Sequence, residues 1–229
     1  MFRAIVFAAV LAGVAAGLFA TAVQSARVIP LIQEAETYEQ ASGSGHHEAD
    51  GHAEGEGWAP EGWLERTTFT VITNVLAAVA FALLLAAAFA LRGGVDWYVG
   101  VLWGLGGYAA FVLAPALGLP PEVPGAATAD LAPRQLWWSG TALATGLGLA
   151  SIFLFRRPVT VALGVFLVVL PHLIGAPQPA DHHGLAPADL AHAYVVATLV
   201  SEFLFWVVLG GLTGFFFARL AAAPQRAPA

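Results

Sequence analysis

The chain has 229 residues, 59% hydrophobic and only 10% charged, with a net charge of −6, no cysteine and, since all nine basic side chains are arginine, no lysine. That balance excludes disulfides, thiolate metal sites and a Walker-type phosphate loop, and leaves no basic patch for nucleic acid. A mean hydropathy of +0.76, carried in apolar runs near the ~20 residues that span a bilayer core, describes an all-α, polytopic integral membrane helical bundle.

Six spans are expected in a single transmembrane domain, 1–229. The first covers about Ala4–Val23. One arginine precedes it and small residues follow in TAVQSA, the outline of a secretory signal. Its apolar run exceeds the ~7–15 residues of such segments, so a retained helix is expected. An acidic, His-bearing outer loop, 33–66, contains HHEADGHAEGEG (46–57). Span two runs over Thr67–Leu91 and holds Asn74; span three runs over Trp97–Leu117. A Pro/Gly-rich outer loop, 118–136, leads to span four, Trp137–Phe155. The break RRP (156–158) predicts a tight turn, because proline cannot continue the preceding helix. Span five, Val159–Ile174, is the shortest, and Pro171 interrupts it, leaving a full crossing or a re-entrant segment open. After a His-containing outer loop, 175–190, span six covers Leu190–Arg219.

The arginines orient the bundle. With the N-terminus inside, Arg3, Arg92, Arg156, Arg157, Arg219 and Arg226 are inside, and Arg27, Arg66 and Arg134 are outside. This agrees with the positive-inside rule, and Trp58, Trp63, Trp97, Trp137 and Trp138 flank spans as interface anchors do. Both termini are expected in the cytoplasm, with the chain multi-pass in the cell inner membrane and lipid as its surroundings. All seven histidines then lie on or near the outer side, as do all carboxylates except Asp96 and Glu202.

Imidazole with carboxylate suits Co(II), Ni(II) or Zn(II). His46, His47 and His52 lie in a low-complexity, glycine-punctuated tract that would bind loosely and concentrate the ion, or simply be a solvated acidic loop. PHLIGAPQPADHHGLAPADLAHAY (171–194) has a sharper pattern: Asp181, His182 and His183 are consecutive donors, and Asp189 and His192 share a helical face. His172 is expected to approach them from the neighbouring helix. The plainer alternatives are an interfacial His172 and an N-capping Asp189.

Glu202 lies about 18 Å into span six, at ~1.5 Å per residue from its start. An ionisable group at that depth costs at least ~2.5–3.5 kcal/mol and normally meets a partner or a watery path. It is a candidate transit ligand or proton-coupling carboxylate, or a protonated link between helices. No HExxH or GxSxG motif occurs, and no prosthetic group or enzymatic activity is expected.

GLPPEVPGAATADLAPRQLWW (118–138), PHLIGAPQP (171–179) and LIQEAETYE (31–39) resemble the probable cobalt transporter subunit family CbtA over nearly the whole chain. The resemblance implies a membrane component of cobalt transport, about five spans, and a small His-containing membrane subunit, CbtB, as partner; self-association is also open. It draws attention to Glu34, Glu36 and Glu39 beyond Pro30, as uptake positions or as a solvated helix end. Glu122 is a further, weaker ligand candidate. The expected function is a divalent transition-metal transporter component that captures the ion outside and passes it into the bundle. The alternatives are a metal-binding or assembly subunit with permeation by a partner, and a metal-dependent membrane enzyme. A polar path through the bundle favours the first; a sealed apolar core below Glu202 favours the second.

Overall fold

The computed structural model describes residues 1–43, 62–180 and 184–222. Its helices are α1 (Phe2–Arg27), α2 (Ile29–Gly43), α3 (Trp63–Arg92), α4 (Trp97–Ala116), α5 (Leu131–Phe155), α6 (Pro158–Ile174) and α7 (Ala188–Ala222), with no strand among the described residues. A π-helical stretch interrupts α4 at Ala109–Leu113, and another ends α5 at Ser151–Phe155.

Five helices, α1, α3, α4, α5 and α7, are long and apolar enough to cross a membrane. α6 has 17 residues, or about 25 Å, against a hydrocarbon core of ~30 Å. Its contacts show how far it reaches. Arg156, at φ 53°, and Arg157 turn the chain, and Pro158 opens α6 where its missing N–H costs nothing. α6 then runs antiparallel along α5. Gly148 and Gly164 touch backbone to backbone, and the Trp137 indole donates to the Pro171 carbonyl at 3.3 Å. α6 therefore returns to the level of Trp137, where α5 began. It is one continuous helix, since Pro171 falls in its last turn and forfeits a single backbone bond. Five helices, not the six expected, thus meet the length and hydropathy of a span, and α6 is an unbroken shorter apolar helix lying along α5.

The remaining helices alternate in direction. α1 and α3 pack antiparallel through Gly13 against Val79 and Gly17 against Val75. α4 and α7 pack antiparallel through Gly100 and Gly104 against Gly210 and Gly214, with no room for a Cβ between them. α7 also lies along α1, so the centre is filled by alanines on α1 and α3 and by Phe89, Trp206 and Leu209. Lipid is as apolar as leucine, so close packing by small side chains supplies what water exclusion cannot.

The two ends of the bundle differ. Met1, the α3–α4 turn at Gly93–Val95, and Ala221–Ala222 line one cleft, so both ends of the described chain lie at one end of the bundle. That turn needs glycine: Gly93 and Gly94 hold φ of 70° and 61°, and Asp96 caps α4 by accepting from the Val99 N–H at 2.8 Å. The opposite end carries a cap. Much of what the sequence assigned to the first outer loop is helical: α2 continues to Gly43, with Pro30 in its first turn, and α3 starts at Trp63.

Candidate functional site

The cap is built around a small core of its own. Ala35 on α2, Val123 from the 117–130 loop and Leu190 at the start of α7 are buried together, with Leu31, Ala126, Ala186 and Tyr194 around them. Gln178 donates to the Gly118 carbonyl at 3.3 Å, and the Leu185 N–H donates to the Gly125 carbonyl at 3.2 Å. Two ion pairs tie the cap to the helices: Arg134 to Glu122 at 2.7 Å, and Arg66 to Glu36 at 3.1 Å. A cavity of about 140 Å³ lies between the two proline-rich segments, lined by Gly118, Pro120, Glu122, Pro177 and Pro179 among others. Prolines at these places hold extended backbone that no helix or strand stabilises.

The expected ligands distribute unevenly over this cap. His46, His47, His52, Asp181, His182 and His183 lie outside the described residues. His172 sits half-buried in the last turn of α6, its ring edge-on to Trp137 at 6.0 Å. Asp189 and His192 are exposed in the first turns of α7, where the acid complements the helix dipole without capping it by a hydrogen bond. α6 packs along α5, so His172 does not approach Asp189 and His192 as a neighbour of α7. Among the described residues no three His, Asp or Glu side chains converge to hold an ion. On α2, Glu34 and Glu39 are exposed, while Glu36 is committed to Arg66. Glu122 likewise pairs with Arg134.

The second polar locus lies inside the bundle. Thr198, Glu202, Trp206, Gly210 and Gly214 recur every four residues along α7, and Trp206, Gly210 and Gly214 lie directly against α4. Glu202 is half-buried, and Tyr108 of α4 is close enough to feel its charge. The Tyr108 hydroxyl donates to the Leu199 carbonyl at 3.2 Å, and its ring packs edge-on to Phe203 at 5.6 Å. The π-helical stretch of α4 begins at the next residue, Ala109. Such bulges shift helix register and often mark functional positions. Here the bulge brings Phe111 to stack on Trp206 at 5.8 Å, with Phe81 on α3 tilted against the same indole at 4.8 Å. Below Glu202, the α4–α7 seam is thus closed, first by aromatic rings and then by glycine against glycine. Sequence reasoning found Glu202 but missed Tyr108, whose mid-span hydroxyl is a signal of the same kind. Asn74 is structural: its amide donates to Thr21 at 3.0 Å and Gln24 at 2.8 Å, clamping α3 to α1.

Neither a curated protein nor a solved structure matches the chain. A family model does: residues 2–218 of the 229 match the probable cobalt transporter subunit (CbtA) model. A multi-pass helical bundle matched over nearly its full length places this chain in the CbtA family.

Proposed function

We propose that the chain is the ion-capturing membrane subunit of a cobalt transporter, resident in the cytoplasmic (inner) membrane with both termini inside and the cap outside. Arg3, Arg92 and Arg219, at helix ends beside the termini, support that orientation. The cap end instead carries Glu34, Glu36, Glu39, Glu65, Glu122, Asp130 and Asp189 against Arg27, Arg66 and Arg134. Such an excess of negative charge raises the local concentration of divalent cations.

One observation carries the capture site. Asp181, His182 and His183 form a three-residue segment whose flanks, at Gln178 and Leu185, are both bonded to the 117–130 loop. Ligands on a tethered segment lose less entropy on binding than those in a free tract. These three residues hold Co(II), with Asp189, His192 and His172 at the same end as reserve donors. His46, His47 and His52 collect the ion ahead of them. Ni(II) and Zn(II) compete, because donor chemistry alone does not favour cobalt.

The closed seam below Glu202 favours a division of labour in which this chain captures and a partner completes permeation. The small His-containing subunit CbtB, or a second copy of the chain, fills that role. The test is Co(II) uptake into proteoliposomes. The chain alone binds Co(II) by calorimetry but takes up none, and adding the small subunit restores uptake. Uptake by the chain alone would restore the reading in which it transports by itself, and no Co(II) binding would remove the capture role.

A further inference from the structure

The carboxylate of Glu202 has surroundings that do not suit cobalt. Its neighbours offer oxygen only: the Thr198 hydroxyl one turn earlier on α7 and the Tyr108 hydroxyl from α4. Among the described residues, no histidine lies at this depth. One carboxylate and two hydroxyls make a poor site for a borderline divalent ion but an adequate one for a proton.

Thr198 gives the sharper clue. Hydroxyls in membrane helices ordinarily satisfy themselves on the carbonyl four residues back. Thr21 does so to Gly17, Thr141 to Trp137, Ser201 to Ala197 and Thr213 to Leu209. Thr198, like Thr145 on α5, does not: its hydroxyl oxygen is buried with no protein partner, and of the two only Thr198 lies one turn from a carboxylate. A free hydroxyl one turn from a carboxylate can hold a water against it. Tyr194, a further turn towards the cap, continues the same face and has its body in the cap core. Beyond Glu202 the face is closed by Trp206, only 2% exposed.

Among the described residues, no cation fixes Glu202 in its ionised form. α1 carries charge only at Arg3 and Arg27, and α3 only at Glu65, Arg66 and Arg92, all near helix ends. α4 faces Glu202 with Tyr108, its other ionisable groups, Asp96 and Tyr98, being at the far end. α2 brings acids and Tyr38 to the cap, and Arg134 at the start of α5 is paired with Glu122.

We propose that Glu202, Thr198 and Tyr108 form a proton-binding site, reached from the cap along Tyr194 and Thr198, and that this site takes up a proton and not the cobalt. The proton passes from water held by Thr198 to a Glu202 carboxylate oxygen and leaves by the same route while the seam below is closed. The inference rests on the transporter reading above, but its test does not require transport.

The probe is a lipophilic carbodiimide, which modifies protonated carboxyls, applied to the full chain in lipid nanodiscs and read by mass spectrometry. Glu202 should be labelled at acidic pH and lose labelling as pH rises, by about tenfold per pH unit beyond the midpoint. Excess Co(II) should leave that profile unchanged, and Glu202→Gln should abolish the label. Thr198→Val should displace the midpoint by at least about half a pH unit, with Thr198→Ser restoring it. Protection by Co(II) would make Glu202 a metal ligand and overturn the proposal. So would absence of labelling at every pH, or a Thr198→Val profile identical to the parent's. Co(II) calorimetry on the same variants separates this outcome from failure of the capture site, since cap binding should be unchanged in all of them.

Discussion

Replacing Gly210 by alanine tests the closure of the α4–α7 seam. The new methyl would fall 2.8 Å from the Gly104 Cα and 3.0 Å from the Gly104 nitrogen, and against the Gly100 carbonyl. None of these is a flexible side-chain end that could swing away. Ordinary carbon contacts start near 3.4 Å, so the helices must separate locally by about 0.6 Å, which forfeits a quarter to a half of the dispersion energy of each affected atom pair. Overpacking of this kind costs about 1–3 kcal/mol. Gly106, on the same helix α4, is the control: nothing lies within 4 Å of a Cβ there. Gly106→Ala should gain roughly 0.5–1 kcal/mol through helix propensity. Equilibrium unfolding of the two variants in mixed detergent micelles should then differ by about 1.5–4 kcal/mol. Agreement within ~0.5 kcal/mol would refute the view that backbone contact closes the half of the bundle away from the cap.

Four further outcomes concern the histidine-bearing segments and the cap. His182→Ala or His183→Ala should weaken Co(II) binding by calorimetry more than any single change at His46, His47 or His52. Because protonated imidazole cannot ligate, affinity should fall as pH is lowered and the imidazoles take up protons; a flat profile would remove histidine from the site. Removing His46, His47 and His52 together should raise the apparent KM for uptake by the assembled transporter and leave the maximal rate nearly intact, since a collector acts on capture. Leu190→Ala empties part of the cap core and should cost about 2–5 kcal/mol locally. Hydrogen exchange should then quicken in α2 and the 117–130 loop while α1 and α3 stay protected.

Much of the bundle could be read from the chain because its determinants are local. Apolar runs mark the crossings, arginine marks helix ends, and RRP announces the α5–α6 turn. The cap was not readable in this way. Residues 33–43 are acidic and weakly amphipathic, so the stretch reads as outer loop, with a solvated helix end beyond Pro30 as the helical alternative. What holds it is Val123 and Leu190, far along the chain, and no local pattern encodes that meeting. The same holds for the donors. Spacing correctly puts Asp189 and His192 on one turn of α7, but it says nothing of which helix lies alongside, and α6 packs on α5. Tyr108 was passed over because an aromatic residue in a span is unremarkable until a carboxylate is found facing it.

The position of α7 in the chain bears on how the protein is made. This helix is the partner of α1, α4 and, more lightly, α3, and it leaves the ribosome after all of them. At ~5–20 residues per second, the interval between completing α4 at Ala116 and α7 at Ala222 is on the order of 5–20 s. During that interval Gly100 and Gly104 face lipid or a chaperone with no backbone to lie against. The α5–α6 hairpin, with its two-residue turn and its own glycine contact, can insert and close unaided in the meantime. A nascent chain stalled before α7 would therefore hold a finished hairpin beside an open, glycine-faced groove. Such a half-built bundle is the form that membrane proteases and quality-control factors would encounter.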